Sequence, residues 1–149
     1  MTKDNKIVLI DDDEIHNFIT ENFINDHYPQ SEVVSYQNPE VALDELHSAI
    51  EHPETECPDV IFLDINMPEM NGWQFLEKFI SYNIDKICGS KIYILSSSLD
   101  PADISRSKQF PIVTNFISKP LTAEKVDAIL NWTPMALIWA FICKPIKRI

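Results

Sequence analysis

The sequence is short of positive charge. Only 12 Lys and Arg stand against 23 Asp and Glu in 149 residues, for a net charge of -11. Such a chain repels nucleic-acid phosphates and anionic membrane surfaces over most of its surface, so direct DNA binding and membrane insertion are not expected. Cysteine is scarce and unpatterned. Cys57, Cys88 and Cys143 are odd in number and contain no C-x-x-C pair, which argues against a disulfide framework and a zinc site and fits a reducing cytoplasm. Long apolar runs are missing as well: the N-terminal M-T-K-D-N-K meets a run of only four apolar residues, too short for a signal peptide or a spanning helix. There is no internal repeat and no low-complexity segment. Nor do the histidines cluster with cysteine, so His16, His27, His47 and His52 are read as solvated or helix-face residues.

The length and a hydrophobic content of 45% suit one compact domain with a single core. Apolar runs alternate with segments of helical period, the pattern of βαβ units whose parallel sheet is covered on both faces. Five units can be read. Residues 7–10 form the first strand, and the helix after it carries Ile15, Phe18 and Ile19 at the i, i+3, i+4 spacing of an inward face. The second strand, 33–36, contains Ser35 and reads as an edge; Asn38 then caps a helix with Pro39 at its first position. Leu43, Leu46 and Ile50 are its buried stripe. The third strand, 60–63, is apolar throughout and therefore central, followed by a helix with Trp73, Leu76 and Ile80 inward. Strand four covers 92–95, a shorter helix begins near Pro101, strand five covers 112–117, and a last helix follows Thr122 with Val126, Ile129 and Leu130 inward.

In open parallel sheets ligands bind outside the carboxyl ends of the strands, so the residues just after each apolar run carry the chemistry. These are Asp11-Asp12-Asp13, Asp64, Ser96 and Lys119. Alone, the Asp triplet reads equally well as a helix N-terminus. Strands one and three as neighbours, roughly 4.8 Å apart, would bring Asp12 and Asp64 together, and carboxylates that close need a cation to stay ionised. Hard oxygen ligands without Cys or His favour Mg²⁺ over Ca²⁺. Ser96 offers a hydroxyl and Lys119 a point charge for phosphoryl oxygens, so the set reads as a phosphoryl-transfer site in which an Asp carboxylate is the nucleophile.

At these residues the sequence resembles the receiver domain of two-component response regulators, over about 6–131. The matching pieces are I-V-L-I-D-D-D-E (7–14), V-I-F-L-D-I-N-M-P-E-M-N-G (60–72), I-Y-I-L-S-S-S (92–98) and F-I-S-K-P-L (116–121), and their order and spacing together are specific. The resemblance implies a flavodoxin-like (βα)5 sheet of order 2-1-3-4-5. It implies that Asp64 accepts a phosphoryl group from a histidine kinase, a histidine phosphotransfer protein or a small phosphodonor. Asp12 and Asp64 would bind Mg²⁺ directly, with the backbone carbonyl of Asn66 as third ligand and Asp11 acting through water. Ser96 and Lys119 would hold the phosphoryl oxygens, and the Lys119-Pro120 bond would be cis. Ser96 replaces the commoner Thr, Phe116 stands where a switching aromatic is expected, and Asn66 and Ser98 occupy positions that tune dephosphorylation. Pro68 and Gly72 would shape the turn into the third helix, Gly72 by backbone freedom, while Trp73 reads as core. Phosphorylation would reshape the face made by the fourth helix, fifth strand and fifth helix, giving a signalling switch rather than an enzyme acting on other substrates.

Two rivals share features. Asp11-x-Asp13 and Ser96 imitate motifs of haloacid-dehalogenase-like phosphatases, but no acidic pair follows Lys119 and Asp64 precedes Ser96. A degenerate receiver that only binds partners would lack some switch residue, and none is missing. The expected division is a receiver domain at 1–132 and an extension at 133–149. That extension holds Lys144, Lys147 and Arg148 and no acid, and its apolar run from Ala136 to Cys143 is too short to span a bilayer. It is read as a segment packing on the domain, with docking or homodimerisation as the sharper alternative. It is too small for a DNA-binding output domain, so output by protein contact or phosphorelay is expected.

Overall fold

The structure, a computed structural model, describes residues 5–130 except 53 and 55. Its strands are β1 (Lys6–Ile10), β2 (Glu32–Tyr36), β3 (Val60–Asp64), β4 (Lys91–Ser96) and β5 (Val113–Ser118). Its helices are α1 (Glu14–His27), α2 (Pro39–Glu51), α3 (Gly72–Ser81), α4 (Ile84–Ile87), α5 (Pro101–Ser107) and α6 (Ala123–Leu130). The strands form one parallel sheet in the order β2-β1-β3-β4-β5, the expected flavodoxin-like arrangement. The extension at 133–149 lies outside the described residues. Among those described, no helix is long and apolar enough to cross a membrane.

Alternate strand residues feed two cores. Val8, Ile10, Ile61, Leu63, Ile92 and Ile94 pack with Leu43, Leu46, Trp73, Leu76 and Phe79 on one face. Ile7, Leu9, Phe62, Tyr93 and Leu95 pack with Ile24, Val126, Ile129 and Leu130 on the other. Each fully buried aliphatic or aromatic side chain stabilises by roughly 1.5–3 kcal/mol, which makes the central β3, buried at every position, the strongest organiser of the sheet. Asn38 caps α2 through the Glu40 amide, and Asn71 and Gln74 make a reciprocal capping box on α3.

Four expectations meet a correction. The first concerns α1, where Ile15, Phe18 and Ile19 are 71, 65 and 62% exposed, while Asn17, Thr20 and Ile24 face the sheet. Periodicity identifies a stripe but not its direction. The helix phase is set by its start, where Asp13 caps the Ile15 and His16 amides and the buried Asn17 amide group donates to the Asp11 carbonyl at 2.8 Å. A second correction adds the single-turn α4, which gives the fourth and fifth helices of the sequence reading the labels α5 and α6.

The third concerns cysteine: Cys57 and Cys88 form a disulfide, with Cα atoms 5.5 Å apart. Parity and local spacing missed it because the pairing is made by the sheet. Val60 and Lys91 are register partners in β3 and β4, and each cysteine sits three residues before one of them. The fourth concerns Gly72, whose φ is not positive. It is needed for close approach instead, since a Cβ there would lie 2.8 Å from the Asp64 carbonyl oxygen and 3.0 Å from the Ile65 Cα. Its amide donates to the Ile65 carbonyl at 2.8 Å, stitching α3 directly to the end of β3.

Candidate functional site

Parallel pairing delivers the ends of β1, β3, β4 and β5 to one edge of the sheet. Asp11 and Asp12 follow β1, Asp64 closes the neighbouring β3, Ser96 closes β4, and Lys119 follows β5. One carboxylate oxygen each from Asp11, Asp12 and Asp64 lies within 4.8 Å of the others. Asp11 and Asp64 are buried, whereas Asp12 is exposed at the rim. The carboxylate of Asp13, the third acid of the triplet, lies outside this group and caps α1. The helix-cap reading of the triplet holds for Asp13, while Asp11 and Asp12 are gathered with Asp64.

Lys119 reaches into this cluster, its Nζ 2.7 Å from Asp11 Oδ2 and 3.5 Å from Asp64 Oδ1. The two buried acids respond in opposite ways. Burial pushes the Asp64 carboxyl up, the charges of Asp11 and Asp12 add to that, and Lys119 only partly opposes them, leaving it at about 7. For Asp11, burial also works against ionisation. Contacts with His16 and Lys119 and the Asp13 amide outweigh it and hold Asp11 below the usual carboxylate range. Burial alone would lower the Lys119 ammonium; its two acidic neighbours outweigh that and raise it.

Two other residues shape the pocket without having been singled out for it. His16 was expected to be solvated or on a helix face, yet its Nδ1 lies 3.1 Å from Asp11 Oδ2 and its side chain is only 15% exposed. Three positions after the cap, it is carried back over the loop by the first turn of α1, because helical side chains lean toward the N-terminus. Its distance from the cap was the available signal. Lys125 donates from Nζ to the Ser118 carbonyl at 2.6 Å, the Ser118 hydroxyl at 3.1 Å and the Pro120 carbonyl at 3.2 Å. These bonds bracket Lys119, whose peptide bond to Pro120 is cis.

The remaining residues lie around this centre. Ser96 is fully buried, and its hydroxyl donates to the Ser98 carbonyl at 2.7 Å while accepting the Ser98 amide at 3.2 Å. It is thus engaged with its own loop and not with Asp64. Phe116 is buried beside β4 in the α2–α3 core. Asn66 and Ser98 are exposed on their loops, and Trp73 is core, stacked on Phe110 and covered by the Arg106 guanidinium.

This geometry sits inside a recognised sequence pattern, since the profile of the response regulator receiver domain matches residues 7–131. The chain belongs to that family. Phosphoryl acceptance is the general function of receiver domains, and the role is one of signalling. A crystal structure of a two-component response regulator from Cytophaga hutchinsonii is 31% identical, with a TM-score of 0.76 over 87% of this chain and 97% of that one. The chemotaxis protein CheY4 of Vibrio cholerae, 20% identical over 89% of this chain and 100% of its own, shares the fold with a TM-score of 0.69. Among curated proteins, a protein-glutamate methylesterase/protein-glutamine glutaminase of Vibrio vulnificus is 35% identical over 80 residues, or 54% of this receiver chain. That match spans 21% of the methylesterase.

Proposed function

We propose that this receiver domain is a Mg²⁺-dependent switch that takes a phosphoryl group onto Asp64 and signals by protein contact. The observation carrying the proposal is the gathering of Asp11, Asp12 and Asp64, two of them buried, beside the Lys119 ammonium. Three carboxylates without thiolate ligands fit a hard divalent cation, and the Asp64 carboxyl is raised first by burial and then by the charges of Asp11 and Asp12, both of which such a cation would offset. Asp12, Asp64 and the Asn66 backbone carbonyl would hold Mg²⁺, with Asp11 acting through water. When bound, the ion supplies charge neutralisation between the attacking carboxylate and the incoming phosphoryl oxygens.

The chain's own residues supply the rest. Asp64 offers a carboxylate oxygen as nucleophile, bonding to phosphorus as the bond to the donor's nitrogen or oxygen breaks. Lys119, already an ion-pair partner of Asp11, exchanges part of that contact for the new phosphoryl oxygens. Ser96 gives up its bond to Ser98 to do the same, which moves the β4–α5 loop. The added charge of roughly -1.5 to -2 thereby biases the face formed by α5, β5 and α6, with Phe116 beneath it, by its differential contacts in the two states. The donor is a histidine kinase or histidine phosphotransfer protein. The exposed row Ile15, Phe18 and Ile19, on the turns of α1 next to Asp12, supports a protein donor, since single surface apolars are ordinary but a contiguous row rimming a reactive pocket marks a contact face.

We assign residues 1–132 to the receiver unit and 133–149 to an extension. The test is labelling with acetyl phosphate, which should give Mg²⁺-dependent, acid-labile phosphate on Asp64 and none in Asp64→Asn. Labelling retained by that variant refutes the acceptor assignment, and no labelling at all returns the chain to a binding module of the same fold.

A further inference from the structure

We infer that Cys57 and Cys88 form a reversible thiol–disulfide switch, a modification site separate from Asp64 that controls how firmly the α3–α4 segment is held. The cysteines bracket the whole excursion of β3, the acceptor loop, α3 and α4, and stand at the opposite end of the sheet from Asp64. Cys88 ends α4 and is 3% exposed within the core, while Cys57 is partly exposed. Of the two, Cys57 is therefore the one toward which an external thiolate is directed.

Reversibility follows from what holds the two sulfurs together besides their own bond. The Ser90 hydroxyl donates to the Pro58 carbonyl at 2.5 Å, and the Lys91 amide donates to the Asp59 carbonyl at 2.9 Å. The Val60–Lys91 register continues directly from these contacts. Breaking the disulfide leaves them intact, so both thiols stay in register and can rejoin without a search through the unfolded chain. These contacts hold the two ends of the excursion together without the bond, and a bond that is preorganised in this way and partly exposed on the Cys57 side is suited to a regulatory role where a compartment is reducing.

The exchange balances. A thiolate of a small thiol or a dithiol reductant attacks the Cys57 sulfur, the Cys57–Cys88 bond breaks, and Cys88 leaves as thiolate and takes a proton. A second reductant thiol then displaces Cys57, giving two protein thiols and the reductant's own disulfide, a two-electron reduction. Reoxidation by a disulfide such as oxidised glutathione runs the same steps backwards.

The single turn of α4 feels the change most. It is anchored by the buried Ile84 and by Cys88, while Ile87 is 58% exposed, and Asn83 enters it with φ 61 and no side-chain cap. Losing the tether should raise amide exchange across 84–88 at least tenfold, leave the Lys91 amide protected, and leave acetyl phosphate labelling of Asp64 within twofold.

The experiment alkylates the full chain with iodoacetamide, before and after a graded series of reduced to oxidised glutathione, with hydrogen exchange read at each step. Peptide mapping should find Cys57 and Cys88 unmodified under air, both modified after reduction, and both protected again after reoxidation. Rapid modification of Cys57 and Cys88 without reductant overturns the proposal. So does a bond that no glutathione ratio reduces, because that is a structural disulfide. A Cys57→Ser/Cys88→Ser variant gives the second reading: exchange at 84–88 should match the reduced protein, and a match to the oxidised protein refutes the tether.

Discussion

Replacing Asp64 by Asn should stabilise the metal-free domain, and by an amount that grows with pH. The Asp64 carboxyl is pushed up to about 7 in the folded protein, first by burial and then by the charge of Asp11. In the unfolded chain it returns to about 4. The folded state therefore binds the proton more tightly, so stability is highest below the unfolded value and falls as pH rises from about 4 through about 7. At 1.36 kcal/mol per unit, the full penalty above that window is roughly 4 kcal/mol, more than half of which accrues between about pH 5 and about pH 8. Asn keeps the shape without the ionisation, and Lys119 retains its closer partner, Asp11. Urea unfolding in EDTA at several pH values, for both proteins, gives the difference directly; groups common to both cancel. A gap widening by about 2–3 kcal/mol, or on the order of 10 °C in melting temperature for a domain this size, is expected. Saturating Mg²⁺ should close much of the gap by stabilising only the wild type. Parallel curves for the two proteins across this pH range would refute the claim that burial and Asp11 oppose ionisation at Asp64.

Other perturbations test single links. Ile24→Ala should cost about 2–5 kcal/mol, while Phe18→Ala stays within roughly 0.5 kcal/mol; denaturant melts giving the reverse order would restore the inward stripe first read from the sequence. Gly72→Ala forces a methyl against the Asp64 carbonyl and the Ile65 Cα, both backbone, and should cost about 1–3 kcal/mol and slow acetyl phosphate labelling; an unchanged melt means that the loop gives freely. Lys119→Met should still accept phosphate on Asp64 but lose the phosphorylation-linked change at the α5–β5–α6 face, read by NMR shifts; an intact response would move the coupling elsewhere.

The fold was legible because a parallel sheet writes itself into the sequence as separate apolar runs. Residues 60–63 could only be a central strand, and Ser35 within a half-polar run marked an edge, as the order β2-β1-β3-β4-β5 bears out. The site was legible for a related reason: chemistry collects at strand ends, and strand ends are where apolar runs stop. What escaped depends on three-dimensional phase or pairing. The α1 stripe has the same period whichever way it faces, and the cap at Asp13 decides. Cys57 and Cys88 are 31 residues apart and meet only because β3 and β4 pair in one register. Gly72 resembles any loop glycine until the approach of the Asp64 carbonyl is seen.

His16 was missed for a cause that bears on how the pocket works. Two buried carboxylates in one site cannot share a fate, and the residues around them decide which one ionises. His16, Lys119 and the Asp13 amide all converge on Asp11, which becomes a fixed anion. Among the described residues, the ion-pair contact that Asp64 receives is the longer Lys119 one, which offsets the cost of burial only in part. Pushing two neighbouring groups apart in this way assigns them different tasks. The acid held ionised by the protein anchors the lysine, and the acid left uncompensated is the one whose ionisation a cation from outside would favour, as its proposed role as phosphoryl acceptor requires. A pocket that relieved both acids would be a more stable fold and a poorer switch, because an arriving cation or phosphoryl group would then have little difference in energy to act upon.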